Sequence, residues 1–193
     1  YGIGWANASN SPVRLFKRWV HEGGIASPFI MKWPKAVKDN GGIVRGTGHV
    51  MDVMATCLEA SGVAYPQKYN GNTITPIDGQ SLLTLVNGED DEIHEYICWE
   101  HEGNRAIRQG KWKLTSYYTE PRQKRVSKGE RTGAWELYDL EADRIEINTL
   151  ADQYPEKVSE LIDLFDKWSE QMEVVSWEEI QEINTTLLSR ENK

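Results

Sequence analysis

The chain has 193 residues, a net charge of −8, and 39% hydrophobic and 27% charged residues. That balance supports a packed core and excludes a disordered chain. The acidic excess argues against nucleic acid as a partner, because phosphate binding needs a basic face. No apolar run approaches the roughly 18 residues that a membrane span requires. The opening Tyr1-Gly2-Ile3-Gly4-Trp5 lacks the basic-then-apolar order of a signal peptide, and its lack of Met points to a trimmed chain or a start inside a longer protein. Cys57 and Cys98 have no CxxC or zinc-type spacing. A disulfide between them and two buried thiols both stay open, with thiols favoured.

In chain order, Ser11-Pro12 reads as a helix start, with a short helix through Trp19 or Val20 closed by Gly23-Gly24. Phe29 to Trp33 reads as a buried strand ended by Pro34. Cut from the large sheet of an intact protein, it is expected to leave an exposed edge and make the chain prone to association. Residues 35–47 read as a loop, with a turn at Asp39-Asn40-Gly41-Gly42. His49 to Ser61 is the clearest helix. Val50, Val53, Met54, Cys57 and Leu58 follow i, i+3, i+4, i+7, i+8 spacing, and Gly62 stands where a left-handed cap belongs. A loop through Tyr65 to Gln80 and a short helix over Ser81 to Val86 follow.

The segment Glu89 to Glu102 holds seven acidic residues and looks like a boundary. Beyond it, Tyr96 to Trp99, Arg105 to Arg108, Trp112 to Tyr118 and Trp135 to Leu140 read as strands, the middle two joined by a tight hairpin at Gln109-Gly110. Glu120 to Thr132 is a polar, basic excursion, with Arg122, Lys124, Arg125, Lys128 and Arg131. A solvated loop is its first reading and attraction of a sulfated glycan its second. A helix starts near Pro155, with Val158, Leu161, Ile162, Phe165 and Trp168 as its apolar stripe. It is expected to cover one face of the four strands, since such a sheet needs a covered face. From Glu173 a weaker pattern in Trp177, Ile180, Ile183 and Leu187 suggests a last helix. The expected division is 1–90, 91–171 and a helical or flexible tail over 172–193.

No self-contained active site is visible. There is no GxSxG, no HExxH and no phosphate-cradling glycine loop, and no two of His21, His49, His94 and His101 have helical metal-ligand spacing. Asp90-Asp91 reads as a solvated turn. The distinctive stretch is Trp5 to Ser11-Pro12, then Arg14-Leu15-Phe16-Lys17-Arg18-Trp19-Val20-His21-Glu22-Gly23-Gly24, then Ile25 to Trp33-Pro34. It is similar to the lysine-and-Glu-Gly-Gly block of the arylsulfatases in the alkaline-phosphatase-like superfamily. Four later blocks fall in the same order. These are Asp52 with Ala55-Thr56-Cys57-Leu58 and Ala60-Ser61-Gly62; Asp78-Gly79-Gln80-Ser81-Leu82; Asn104 to Arg108 with Gly110 to Leu114; and Leu137-Tyr138-Asp139-Leu140 with Asp143, Glu146, Asn148 and Leu150-Ala151. The chain departs from many relatives at Leu15-Phe16, where they carry glycines, and at Ala26, where they carry Arg.

The resemblance implies an α/β parent fold. This chain would be the end of the large catalytic α/β domain plus a small α+β C-terminal subdomain, a four-stranded antiparallel sheet packed by a helix. It implies a sulfuric ester hydrolase as the parent, with Lys17 as the sulfate-binding lysine. His101 and Arg105, near the start of the hairpin, are candidates for substrate contact, although groups pinning a turn are the commoner case. The family nucleophile, a formylglycine made in a Cys/Ser-x-Pro/Ala-x-Arg motif, and its calcium ligands come earlier in the family order. Neither Cys57 nor Cys98 fits that motif, and no metal site is expected here. Calcium and formylglycine are thus expected in the intact parent and not in this chain, which alone is expected to be inactive. The implied partners are a sulfate ester small molecule or sulfated sugar and the N-terminal part of the same protein. The implied location is periplasmic or secreted. Two alternatives stand beside this: a non-catalytic module that binds an anionic glycan, and part of a related phosphodiester or phosphonate ester hydrolase.

Overall fold

The computed structural model describes residues 2–38, 41–89, 92–118 and 134–191. The expected turn at Asp39-Asn40, the Asp90-Asp91 pair and the basic excursion with Arg122, Lys124, Arg125, Lys128 and Arg131 lie outside them. In chain order the elements are α1 (Ile3–Ser9), α2 (Glu22–Ile25), α3 (Asp52–Ser61), β1 (Lys68–Tyr69), β2 (Asn72–Thr73), α4 (Leu83–Val86), β3 (Ile97–His101), β4 (Asn104–Gln109), β5 (Trp112–Ser116), β6 (Trp135–Asp139), α5 (Pro155–Gln171) and α6 (Trp177–Glu191). They fall into two compact units. One joins Tyr1–Ser27 to Tyr96–Lys193, and the other is Pro28–Glu95.

In the first unit β3, β4, β5 and β6 form an antiparallel sheet in that order. Ile107 stands opposite both Cys98 and Leu114, and Leu114 opposite Leu137. Side chains alternate across a strand, so these four share a face. Leu161 and Phe165 of α5 close over Ile107, Leu114 and Leu137, and all five are buried. Each such side chain contributes about 1.5–3 kcal/mol of burial. α5 starts with Pro155 in its first turn, where the missing N–H costs nothing. Burial among these groups pushes the Cys98 thiol up to about 12. The opposite face carries Ala106, Lys113, Thr115, Glu136 and Tyr138, and there residues 14–25 pack.

Two expectations fail in the first 33 residues. The helix expected from Ser11 to Val20 is absent. α1 lies earlier, and Leu15 (φ 66°) and Arg18 (φ 99°) take left-handed backbone, which a right-handed helix does not tolerate. The strand expected at Phe29 to Trp33 is irregular chain. Phe29 and Ile30 are exposed, and among the described residues no strand pairs with it.

In the second unit β1 and β2 form a small hairpin within a segment expected to be loop. Asn70 (φ 51°) and Gly71 (φ 82°) supply the two positive-φ turn positions. α3 forms close to where it is expected but faces the other way. Its buried residues are Asp52 and Thr56, whereas Val50, Val53, Met54 and Cys57 are exposed. The Asp52 carboxylate explains the inward face. It accepts from the backbone N–H of His49 (2.6 Å) and of Gln80 (2.9 Å) and pairs with His94 Nε2 (2.8 Å). Thr56 Oγ1 donates to the Asp52 carbonyl at 2.7 Å and accepts from Leu82 N–H at 2.9 Å. Leu82, Leu85 and Ile93 form this unit's small core.

Candidate functional site

Lys17 sits in irregular chain between α1 and α2, so its position depends on contacts from its neighbours. Gly23 N–H donates to the Arg14 carbonyl (3.1 Å), and Asn10 Nδ2 donates to the carbonyls of Leu15 (2.8 Å) and Gly23 (2.7 Å). This folds residues 14–19 back on the Glu22-Gly23-Gly24 turn. A Cβ on Gly23 would fall on the Arg14 and Leu15 carbonyls, and one on Gly24 on the Trp19 carbonyl. Any larger residue would therefore push the lysine segment away. Trp19, Val20, His21 and Glu22 are buried, while Lys17 is exposed and pairs with no described residue. The result is an exposed ammonium on an anchored loop.

The anchor is charged. Lys113 of β5 is fully buried and pairs with Glu22 at 2.9 Å and Glu146 at 2.8 Å. Glu146 accepts the Glu22 backbone N–H at 2.7 Å, and Arg144 pairs with Glu22 at 3.0 Å. Burial by itself raises the Glu22 carboxyl, but the hydrogen-bonded Lys113 charge, with Arg144 and Arg108, holds it below the ordinary glutamate value. Removing one partner from a buried pair leaves the other's desolvation cost unmet.

A second cluster holds the other side. Glu136 of β6 takes His21 Nε2 at 3.1 Å, Arg14 Nη2 at 3.0 Å and the Tyr138 hydroxyl at 2.8 Å. Burial raises its carboxyl, but the His21 and Tyr138 hydrogen bonds and the His21 and Arg14 charges bring it below its ordinary value. The Tyr138 phenol is pushed upward by burial and by the Glu136 charge.

The β3–β4 turn also reaches the lysine loop. Glu102 pairs with Arg18 at 2.7 Å, and Asn104 Nδ2 donates to the Arg18 carbonyl at 3.4 Å and the His101 carbonyl at 2.8 Å. His101 is exposed and shares a face with Asn104, its cross-strand partner. Arg105 is on the other face, with its guanidinium 4.6 Å from the Trp135 ring centroid. Of the three residues singled out in sequence, the turn bearing His101 is thus linked to the residue beside Lys17, whereas Arg105 belongs to the α5 side. Sequence reading missed Glu22, Lys113, Glu136 and Glu146 as anchors. Glu22, Lys113 and Glu146 stood in the family blocks, and the strand alternation at Lys113, opposite in sense to Leu114, hinted at a charge on the other face.

Among the described residues, no three or more His, Cys, Asp or Glu side chains converge as a metal site. Cys57 is exposed on α3, and Cys98 lies half-buried in the sheet. The described residues do not fit calcium or formylglycine.

Residues 14–173 match the family described as N-sulphoglucosamine sulphohydrolase, C-terminal. An uncharacterized sulfatase of Schizosaccharomyces pombe is 34% identical over 169 residues, covering 84% of this chain and 28% of that protein. An N-acetylgalactosamine-6-O-sulfatase of Bacteroides thetaiotaomicron is 31% identical, covering 76% of this chain and 28% of its own. A solved sulfatase structure, from work on glycosaminoglycan metabolism by Bacteroides thetaiotaomicron, is 29% identical with a TM-score of 0.47, covering 62% of this chain and 24% of its own. The chain belongs to this sulfatase family and corresponds to a C-terminal portion of it. It spans little more than a quarter of the curated relatives it matches.

Proposed function

We propose that Lys17 binds the sulfate group of a sulfate ester in the longer protein to which this chain belongs, and that the protein is a sulfuric ester hydrolase. The observation that carries this reading is the exposed Lys17, unpaired among the described residues, five residues before a Glu22-Gly23-Gly24 turn that buried charges hold in place. Cleavage of the S–O bond moves negative charge onto the leaving oxygen. An ammonium at about 4 Å is worth roughly 4 kcal/mol to such a charge at an effective dielectric of 20. Because the loop is already anchored, little reorganisation is needed when that charge develops. Lysine suits the task as a compact charge with three donors.

His101 is the candidate for contact with the rest of the substrate. Arg105, stacked on Trp135 on the α5 side, supports the hairpin in this reading. A sulfated sugar is the favoured substrate, because a relative at 31% identity is an N-acetylgalactosamine-6-O-sulfatase. Calcium and formylglycine would come from residues outside this chain, and the protein would act in the periplasm or outside the cell. Among the described residues, no helix is long and apolar enough to cross a membrane.

The test is hydrolysis of a chromogenic aryl sulfate and of an N-acetylhexosamine 6-sulfate by the full-length protein with added calcium. Lys17→Ala should lower kcat about 10²–10³-fold, the range for loss of one oxyanion donor. Full turnover by that variant would overturn the role of Lys17. Absence of turnover by the wild type, together with binding of sulfated glycan, would favour a binding module.

A further inference from the structure

Backbone contacts hold the loop before Lys17, but the residue after it is held by a side chain from a distant part of the sequence. Arg18 takes φ 99° and Glu102 φ 52°, backbone that non-glycine residues keep only where their surroundings impose it. Leu15, on the other side of Lys17, is also left-handed at φ 66°. Three interactions among those described bear on the geometry at residue 18. Its Nε meets Glu102 Oε2 at 2.7 Å, its carbonyl takes Asn104 Nδ2 at 3.4 Å, and the Trp19 N–H turns back to the Phe16 carbonyl at 3.1 Å. Asn104 is fully buried. It also donates to the His101 carbonyl and accepts the Tyr118 N–H at 3.1 Å. The position before it is equally crowded, since a Cβ on Gly103 (φ 81°) would press on the Tyr118 side chain. The β3–β4 turn is therefore a fixed post, and Glu102 is its charged tip.

We propose that Glu102 is a positioning residue for Lys17, and that the Arg18–Glu102 pair fixes the distance between the lysine and the turn bearing His101. This rests on the reading of Lys17 as the sulfate-binding group. The pair is partly exposed, with side-chain accessibilities of 28% for Arg18 and 36% for Glu102, so its loss should leave folding nearly unchanged. Its effect belongs in the chemistry, because a small displacement of a catalytic group costs rate far out of proportion to stability.

A charge-reversal cycle in the full-length protein separates the outcomes. Arg18→Glu and Glu102→Arg are each expected to lower kcat for a chromogenic aryl sulfate by about tenfold, with KM changing less. The charge-swapped double variant should recover to within about threefold of wild type, a rescue that a general structural defect does not produce. Thermal midpoints of all three should stay within a few degrees of wild type. The proposal is overturned if Lys17→Ala is inactive while the single reversals keep wild-type kcat, or if the double variant loses the product of both single effects. If Lys17→Ala keeps full activity, the underlying reading has failed and the clasp fails with it.

Discussion

Two helices with similar apolar periodicity end up facing opposite ways. α5 lays Leu161 and Phe165 on the sheet, whereas α3 turns Asp52 and Thr56 inward and leaves Val50, Val53, Met54 and Cys57 exposed. Both stripes satisfy the same spacing rule. The rule reports that a face is apolar, and says nothing about whether its partner belongs to the same stretch of chain. α5 finds its partner in β4, β5 and β6. α3 is fixed from its polar side, through hydrogen bonds to residues 49, 80, 82 and 94. Its outward stripe stays exposed among the described residues.

The contrast predicts which side chain holds each helix. Phe165→Ala should destabilise the sheet unit by about 3–5 kcal/mol, read from chemical denaturation. A loss under about 1 kcal/mol would mean that α5 does not close the core. Asp52→Ala should cost about 1–3 kcal/mol in the other unit, because the two backbone N–H groups and His94 lose their acceptor. Increased hydrogen exchange confined to the His49 and Gln80 amides would localise that loss. An unprotected pair of amides in the wild type would break the account of α3.

Acid should loosen the anchor of the lysine loop. Glu22 and Glu136 both have folded values held below the ordinary 4.5, so the unfolded chain takes up protons first as pH falls. Their contribution is complete above that value and declines as pH drops through it toward the lower folded values. Thermal midpoints between pH 6 and pH 3 should fall less in a Glu22→Gln, Glu136→Gln double variant than in wild type. Met54→Ser, on the exposed stripe, should change stability by no more than about 0.5 kcal/mol. It should reduce self-association of this chain in light scattering, and unchanged association would place the sticky surface elsewhere, such as at Phe29 and Ile30.

Much of the fold was legible because it is local. Strand alternation located β3 to β6 within a few residues, and Pro155 with the stripe behind it located α5. The proposal for Lys17 starts from the block around it, since a lysine beside two arginines has no pattern of its own. The hairpin at Asn70-Gly71, with strands of two residues each, was too short to stand out from the loop expected there.

The sequence by itself determined the period of each element, the sharp turns at glycine and proline, and the order of the blocks that mark the family. Tertiary structure decided what those elements face. It set Lys113 between Glu22 and Glu146, placed Arg105 away from the lysine loop, bent residues 14–20 out of a helix, and turned α3 outward. Periodicity is a property of neighbouring residues, whereas burial and charge pairing depend on residues up to 124 positions apart. No local window contains both partners of the charge contacts that anchor the lysine loop to the sheet.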